Sequence, residues 1–228
     1  MQLGIDGCRA GWIAAIDKPS GVEIELHPNL NELLGIYNPC VVAIDMVIGL
    51  PTQTVRGGRL ADRAARVLLP GKSSSIFSVP CREAIYASTY QHAVELSRAS
   101  SSDQMAFSLQ AFNIFPKIRE LDQWLRLHPD RASQLTEVHP ELCFRFMHPQ
   151  EQVAPSKHSK EGLLWRKQLL ANQQLKAPAS IPKGCAQHDV YDALACLWSA
   201  RRISQSVQQS VLDHSPLDGE KLPMNIGW

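Results

Sequence analysis

The chain has 228 residues, with 23 Lys and Arg against 22 Asp and Glu, so its formal net charge at pH 7 is +1. This length is typical of one large domain, or of one domain with a sizeable insertion, and the hydrophobic share of 44% is enough for a full core. The near-neutral charge argues against a strongly basic surface over the whole molecule, although basic residues can still cluster locally.

The hydropathy of the chain, its N-terminal residues and its cysteine pattern predict a cytoplasmic protein. No apolar run approaches the ~20 residues that a membrane span needs, and the N-terminus lacks the basic and apolar regions of a secretory signal. Six cysteines are scattered through the chain without a C-x-x-C pair, a pattern typical of free thiols in a reducing compartment. We therefore expect neither membrane association nor structural disulfides or zinc sites.

The first part of the chain predicts an antiparallel meander followed by a helix and a central strand. Strand patterns at 2–8, 11–16 and 22–26 are separated by turn signals that contain glycine. Residues 29–37 have helical spacing. The apolar run 40–45 has the length of a strand covered on both faces, and its last residue is a carboxylate.

The middle of the chain, at about 52–131, is predicted to be a helical insertion in a strand-rich scaffold. Helical spacing is present at 59–69, 90–97, 104–112 and 116–127. Pro and Gly separate or end several of these segments.

The last part predicts one more strand, at 134–139, and three helices. The helices cover 141–146, 161–175 and a final segment that begins at His188 and ends near Arg202. The polar residues 149–160 predict an exposed loop. Together the elements predict an α/β domain over residues 1–228, with a mixed five-stranded sheet and helices on both faces.

Acidic residues end three of the predicted strands and open the final helix. Asp6, Asp45 and Glu137 lie at strand ends, and Asp189 and Asp192 are three apart, one above the other on the helix. In a simpler interpretation of this pair, Asp189 caps the helix and Asp192 is solvated. Clustered carboxylates repel one another unless cations bind, and paired divalent ions can activate water for phosphodiester hydrolysis.

This order of elements and acids resembles the ribonuclease H-like fold. The chain is more closely similar to a family of predicted ribonuclease H-like nucleases, and its final helix is similar to that of the resolvase branch. The segments that carry the resemblance are 4–12, 44–51, 116–120, 137–141 and the helix that begins at His188.

The resemblance implies a fold, a cofactor and a set of site residues. It implies a ribonuclease H-like α/β domain that binds Mg²⁺ or Mn²⁺ through Asp6, Asp45, Asp189 and Asp192. Glu137 is a further catalytic candidate beside these four ligands. His139 is either a proton carrier beside the metal, if the strand continues through Pro140, or a hydrogen-bonded core histidine.

Basic residues are candidates for contacts with a phosphate backbone. From Arg56 to Arg82, six basic residues stand against one acid, which gives a local charge of +5. A solvated helix face explains the same pattern equally well. The predicted substrate-binding residues are Arg9, Lys72, Arg82, Lys117 and Arg119.

Three functions are compatible with these features. The leading prediction is a divalent-metal-dependent nuclease that acts on RNA or DNA. The alternative is a catalytically inactive ribonuclease H-like scaffold that binds nucleic acid or a protein partner. Phosphoryl transfer from ATP, as in sugar kinases and actin-like ATPases, is less favoured, because those proteins need two such cores and only one set of strands is predicted.

Overall fold

The structure is a computed structural model that describes residues 1–37, 41–148 and 154–228. The chain forms two compact units. Unit 1 comprises Met1–Met46, Ser133–Gln209 and Gly227–Trp228. Unit 2 comprises Val47–Ala132 and Ser210–Ile226. The predicted helical insertion at about 52–131 falls within unit 2.

A mixed sheet forms the centre of unit 1. In the described part of the chain its five strands are β1 (Gln2–Cys8), β2 (Gly11–Lys18), β3 (Gly21–His27), β4 (Val41–Asp45) and β5 (Leu135–Glu137). Their spatial order is β3-β2-β1-β4-β5. The pairs β3–β2 and β2–β1 are antiparallel, whereas β1–β4 and β4–β5 are parallel. The predicted α/β architecture with a mixed five-stranded sheet is confirmed, in agreement with a ribonuclease H-like fold.

The helices divide between the two units. In the described part of the chain the helices are, in chain order, α1 (Leu30–Ile36), α2 (Leu60–Val67), α3 (Arg82–Tyr86), α4 (Tyr90–Ala99), α5 (Leu109–Phe112), α6 (Phe115–Leu127), α7 (Pro129–Ala132), α8 (Pro140–Met147), α9 (Lys160–Asn172) and α10 (Gln187–Ser204). Unit 1 contains α1, α8, α9 and α10, and unit 2 contains α2 to α7.

Two predicted elements are shorter in the structure. The helix predicted at 104–112 is reduced to α5, because Gln104 has a left-handed backbone with φ 51° and Ser108 caps the first helical turn. The strand predicted at 134–139 ends at Glu137, because Pro140 begins α8. Residue 40, predicted to begin β4, and residues 149–153 of the predicted loop lie outside the described residues.

The core of unit 1 lies between the sheet and α10. Every residue of α10 from Val190 to Ala200 is buried. A helix that is apolar on one stripe only would leave its other face in water, so this burial shows that α10 is covered on all sides. Trp12 on β2 is fully buried, as predicted for a core residue. Among the described residues, none of the helices has the length and hydropathy that a bilayer-spanning helix requires.

Candidate metal centre

Helix α10 lies in direct backbone contact with β1. A Cβ atom on Gly4 would lie 2.0 Å from the backbone nitrogen of Leu197 and 2.2 Å from the carbonyl oxygen of Ala193. Only glycine therefore permits this approach. Side chains alternate along a strand, so Asp6, two residues after Gly4, lies on the same face of the sheet as α10.

Contacts at the two ends of α10 set its direction. Near its C-terminus, the Arg201 guanidinium donates two hydrogen bonds of 2.7 and 2.8 Å to the Asp17 carboxylate on β2. Just before its N-terminus, the Cys185 Sγ lies 3.4 Å from the Sγ of Cys8, the last residue of β1. The helix therefore runs antiparallel to β1, and its first turns lie over the C-terminal end of that strand.

Three of the predicted ligands come together at this end of the sheet. Asp6 and Asp45 are paired residues on the parallel strands β1 and β4, which places their backbones about 4.8 Å apart with both side chains on one face. Asp192 comes from the second turn of α10 above them. Asp6 and Asp192 are only 7% and 2% exposed, so the interpretation of Asp192 as solvated is wrong.

Burial and mutual repulsion raise the proton affinity of this cluster. Burial, followed by repulsion from Asp45 and Asp192, raises the pKa of Asp6 well above its ordinary value. Burial, followed by repulsion from Asp192, raises the pKa of Asp45 to about 7. Burial and the neighbouring carboxylates therefore both favour the protonated form of Asp6 and Asp45, and Lys157 opposes them.

Lys157 supplies positive charge to the cluster. Its Nζ lies 2.8 Å from the Asp192 Oδ2, and its side chain is 36% exposed. Burial alone would lower the pKa of Lys157, but Asp192 and the neighbouring carboxylates raise it above its ordinary value. The sequence predicted only an exposed polar loop here, and no local pattern distinguishes this lysine from its neighbours.

Glu141 is a second residue that the sequence analysis did not select. It is 8% exposed, and its Oε1 accepts a hydrogen bond of 2.5 Å from Arg166 Nη2. Its Oε2 is buried and has no hydrogen-bond partner among the described residues. Glu141 is also one of the charges that raise the pKa of Asp45. The sequence predicted a helix at 141–146 but gave no local signal that its first acid belongs to the site.

Asp189 acts at the start of α10. Its Oδ2 accepts the Ala186 backbone N–H at 2.8 Å, and its Oδ1 lies 3.3 Å from the His188 Nε2. The capping interpretation of Asp189 is therefore correct. The same charge adds to the repulsion that raises the pKa of Asp6, so Asp189 borders the cluster although both of its oxygens have partners.

The predicted catalytic position of Glu137 is corrected by the strand register. Glu137 on β5 pairs with Ile44 on β4, not with Asp45. Paired residues on parallel strands share a face, and consecutive residues alternate between faces. Glu137 therefore points to the face of the sheet opposite Asp45. His139 caps α8 through a 3.2 Å hydrogen bond that its Nδ1 accepts from the Glu141 N–H, so the supposition of a strand through Pro140 is wrong.

Two of the predicted substrate-binding arginines have structural partners within unit 2. Arg82 donates to the Asp122 and Asp218 carboxylates, each at 2.5 Å. Arg119 donates to two backbone carbonyl groups at the end of α3, at 2.9 and 3.0 Å. Arg82 therefore links the two chain segments that make up unit 2.

The other three predicted substrate-binding residues differ in location and exposure. Arg9 belongs to unit 1 and is exposed in the turn after β1. Lys72 and Lys117 belong to unit 2 and are half-buried. Only Arg9, of the five, therefore lies in the same unit as the carboxylates.

The arginines around α2 bond to groups in the same segment of the chain. Arg59 pairs with Asp62 at 2.7 Å in the interior of unit 2. Arg63 and Arg66 donate to the carbonyl groups of the two preceding glycines, at 2.7 and 2.5 Å. Carbonyl groups are neutral, so the charges of Arg63 and Arg66 remain available as a local positive potential.

The donor chemistry of the cluster fits a hard divalent cation. Asp6, Asp45, Asp192 and Glu141 offer only carboxylate oxygens, the ligands that Mg²⁺ and Mn²⁺ prefer, and the buried Glu141 Oε2 lacks a partner among the described residues. As the side chains stand, however, no three Asp, Glu, His or Cys residues in the described part of the chain are grouped so that they could hold a metal ion.

Comparison with known proteins identifies one family. It matches residues 4–216 and is described as "Protein of unknown function (DUF429)". No curated protein and no solved structure matches the chain. The match covers most of the chain, including every residue of the acidic cluster.

Proposed function

We propose a function for this chain, which belongs to the family "Protein of unknown function (DUF429)": hydrolysis of phosphodiester bonds in RNA or DNA with the help of Mg²⁺ or Mn²⁺. The observation that carries the proposal is the charge imbalance at the end of β1 and β4. Four carboxylates there face the ammonium of Lys157 and the guanidinium of Arg166, and burial together with mutual repulsion raises the pKa values of Asp6 and Asp45.

In this proposal the cations are held by carboxylates from four elements: Asp6 on β1, Asp45 on β4, Glu141 on α8 and Asp192 on α10. Bound Mg²⁺ or Mn²⁺ ions supply polarisation of the phosphoryl oxygen and a water of lowered pKa. Asp189 keeps its role at the start of α10 and adds negative charge beside the ligands. Burial of the carboxylates keeps bulk water from weakening their attraction for cations.

The protein's own residues also suggest how a phosphate would be oriented. Arg9 is exposed in the turn that follows β1, three residues after Asp6, and a guanidinium group matches the geometry of a phosphate. In the proposal it contacts the phosphate on the 3′ or 5′ side of the cleaved bond. The predicted substrate roles of Lys72, Lys117, Arg82 and Arg119 remain predictions, and the internal ion pairs of Arg82 make it the weakest of these candidates.

The test is a cleavage assay with single- and double-stranded RNA and DNA in Mn²⁺, Mg²⁺ or EDTA. We expect wild-type cleavage only with a divalent ion. Asp6→Asn and Asp192→Asn should each reduce the rate by more than about 100-fold, since even outer partners of metal sites cost up to that factor.

The matched control is Asp213→Asn, an exposed acid in unit 2, which should cleave like the wild type. Thermal unfolding of all variants would show that they are folded. Equal cleavage by Asp6→Asn, Asp192→Asn and wild type would remove the proposal.

The second candidate function is a catalytically inactive scaffold that binds nucleic acid or a protein partner. It is favoured by one observation: the Lys157 Nζ already pairs with the Asp192 carboxylate. Titration with Mn²⁺ separates the two candidates. A metal site raises the melting temperature as Mn²⁺ is added, by mass action, whereas a scaffold without such a site does not respond.

A further inference from the structure

The loop that carries Lys157 is fastened to helix α9. Arg166, fully buried on α9, donates through Nη1 to the Pro155 carbonyl oxygen at 3.2 Å. The backbone of Gly162 approaches the carbonyl oxygen of Ser156 so closely that a Cβ atom there would lie 1.9 Å from it. The backbone immediately before Lys157 is therefore held in place, and this fixed backbone positions the lysine beside the acidic cluster.

The same arginine joins the loop to the carboxylates. Arg166 Nη2 donates to the Glu141 Oε1 at 2.5 Å while its Nη1 holds the loop. Glu141 lies near enough to Asp45 to raise the pKa of that residue. One buried guanidinium therefore fixes both an acid of the cluster and the segment that supplies its ammonium group.

The ammonium of Lys157 lies where it interacts with three of the four proposed ligands. It bonds to Asp192 Oδ2 at 2.8 Å, and Asp45 and Asp6 also attract it. An ammonium group donates hydrogen bonds but accepts none. It therefore compensates the negative charge of carboxylate oxygens as a bound metal ion would. A divalent ion bound to the same Asp192 oxygen would repel it at short range.

We propose that Lys157 is a built-in counter-cation of the acidic site, which occupies Asp192 in the ion-free protein and must leave it when a divalent cation binds. The inference rests on the proposed function, because it takes Asp192 to be a metal ligand. It implies that Lys157 lowers the apparent affinity of the site for the cation, because the ion pair must be broken first.

The first experiment measures Mn²⁺ binding by titration calorimetry and thermal unfolding. It compares the wild type with Lys157→Met and, as the matched control, Lys160→Met, whose exposed side chain lies at the start of α9. Lys157→Met should bind Mn²⁺ about tenfold more tightly than the wild type, and its ion-free form should melt at a lower temperature. Lys160→Met should behave like the wild type.

The outcomes separate this inference from the nuclease proposal. If the wild type and Lys157→Met bind Mn²⁺ with equal affinity, the counter-cation role is wrong while the metal site stands. If neither protein binds Mn²⁺, both proposals fall. A weaker affinity of Lys157→Met would also overturn the inference, because the lysine would then assist binding.

A second measurement uses only the wild-type chain and does not depend on how a variant folds. Lysine amines are acetylated with and without saturating Mn²⁺, and the rates at Lys157 and Lys160 are compared by mass spectrometry. The pairing with Asp192 should make Lys157 the slower of the two without Mn²⁺, and Mn²⁺ should accelerate its labelling while leaving Lys160 unchanged. An unchanged rate at Lys157 under conditions where Mn²⁺ binds would contradict the inference.

Discussion

At the scale of single residues, the acidic cluster lowers the free energy of unfolding of the ion-free protein near neutral pH. Asp45 is half-buried beside Asp6 and below Asp192, and its pKa is raised to about 7. Near neutral pH the folded chain therefore holds protons that the unfolded chain has already released. One unit of pKa shift corresponds to about 1.4 kcal/mol, so this one carboxyl is enough to make stability depend visibly on pH.

The sign of that dependence can be tested with Asp45→Asn in EDTA. Because folding raises the pKa of Asp45, the contribution of this carboxyl to the free energy of unfolding should fall as pH rises from about 4 to about 7, and level off above this range. Asp45→Asn should reduce this slope and raise the free energy of unfolding at pH 8 by on the order of 1–3 kcal/mol. Urea unfolding at several pH values measures both effects. If Asp45→Asn kept the wild-type pH dependence of the free energy of unfolding, folding would not raise the pKa of Asp45.

At the scale of elements, the site depends on the close approach of α10 to β1. Gly4 leaves room for the helix backbone, and the Arg201–Asp17 and Cys8–Cys185 contacts hold its two ends. The first turns of α10 are thereby held over the end of β1. Any change that lifts the helix from the strand should therefore disturb Asp192 as well as the core.

Gly4→Ala tests this dependence. The added methyl group would lie 2.0 Å from the Leu197 nitrogen, so the helix must shift, and we expect a loss of about 3 kcal/mol or more in the free energy of unfolding. Gly35→Ala is the control, because a Cβ atom at this position in α1 meets nothing within 4 Å, and alanine is the better helix former by about 1 kcal/mol. Denaturant unfolding of the two variants should move in opposite directions. A tolerated Gly4→Ala would contradict the packing described for α10.

At the scale of the whole molecule, the acidic cluster and four of the five predicted substrate-binding residues belong to different units. The acidic cluster lies entirely in unit 1. The basic stretch from Arg56 to Arg82 lies in unit 2, where Arg59 and Arg82 pair with buried carboxylates. Buried pairs of this kind hold the unit together and are costly to break. A ligand of the acidic cluster should consequently act on the stability of unit 1 first.

Hydrogen exchange with and without Mn²⁺ tests this localisation. If the cation binds the acidic cluster, amides in β1, β4 and the first half of α10 should gain protection, because binding stabilises the closed form of the segments that supply ligands. Amides in α6, a helix of unit 2, should keep their exchange rates. Mass spectrometry of peptides from the two units reports both. Protection confined to unit 2 would place the cation elsewhere.

The strength of sequence-based prediction differed between the fold and the site. The strands up to Asp45 and the final helix were predicted within a few residues, because hydrophobic periodicity and turn residues act locally. The helix predicted at 104–112 is shortened to α5, because Gln104 has a left-handed backbone and Ser108 caps the first helical turn. The strand predicted at 134–139 ends two residues early, at Glu137, because Pro140 begins α8.

The sequence by itself determined the mixed α/β architecture and the positions of Asp6 near the end of β1 and Asp45 at the end of β4, because apolar runs of strand length and the turn residues that bound them are local patterns. Only the tertiary structure decided which charges meet. A single residue of register turns Glu137 away from the cluster, a fastened loop brings Lys157 to Asp192, and a buried arginine holds Glu141 beside them. Such contacts join residues that are distant in the chain, and no local pattern encodes them.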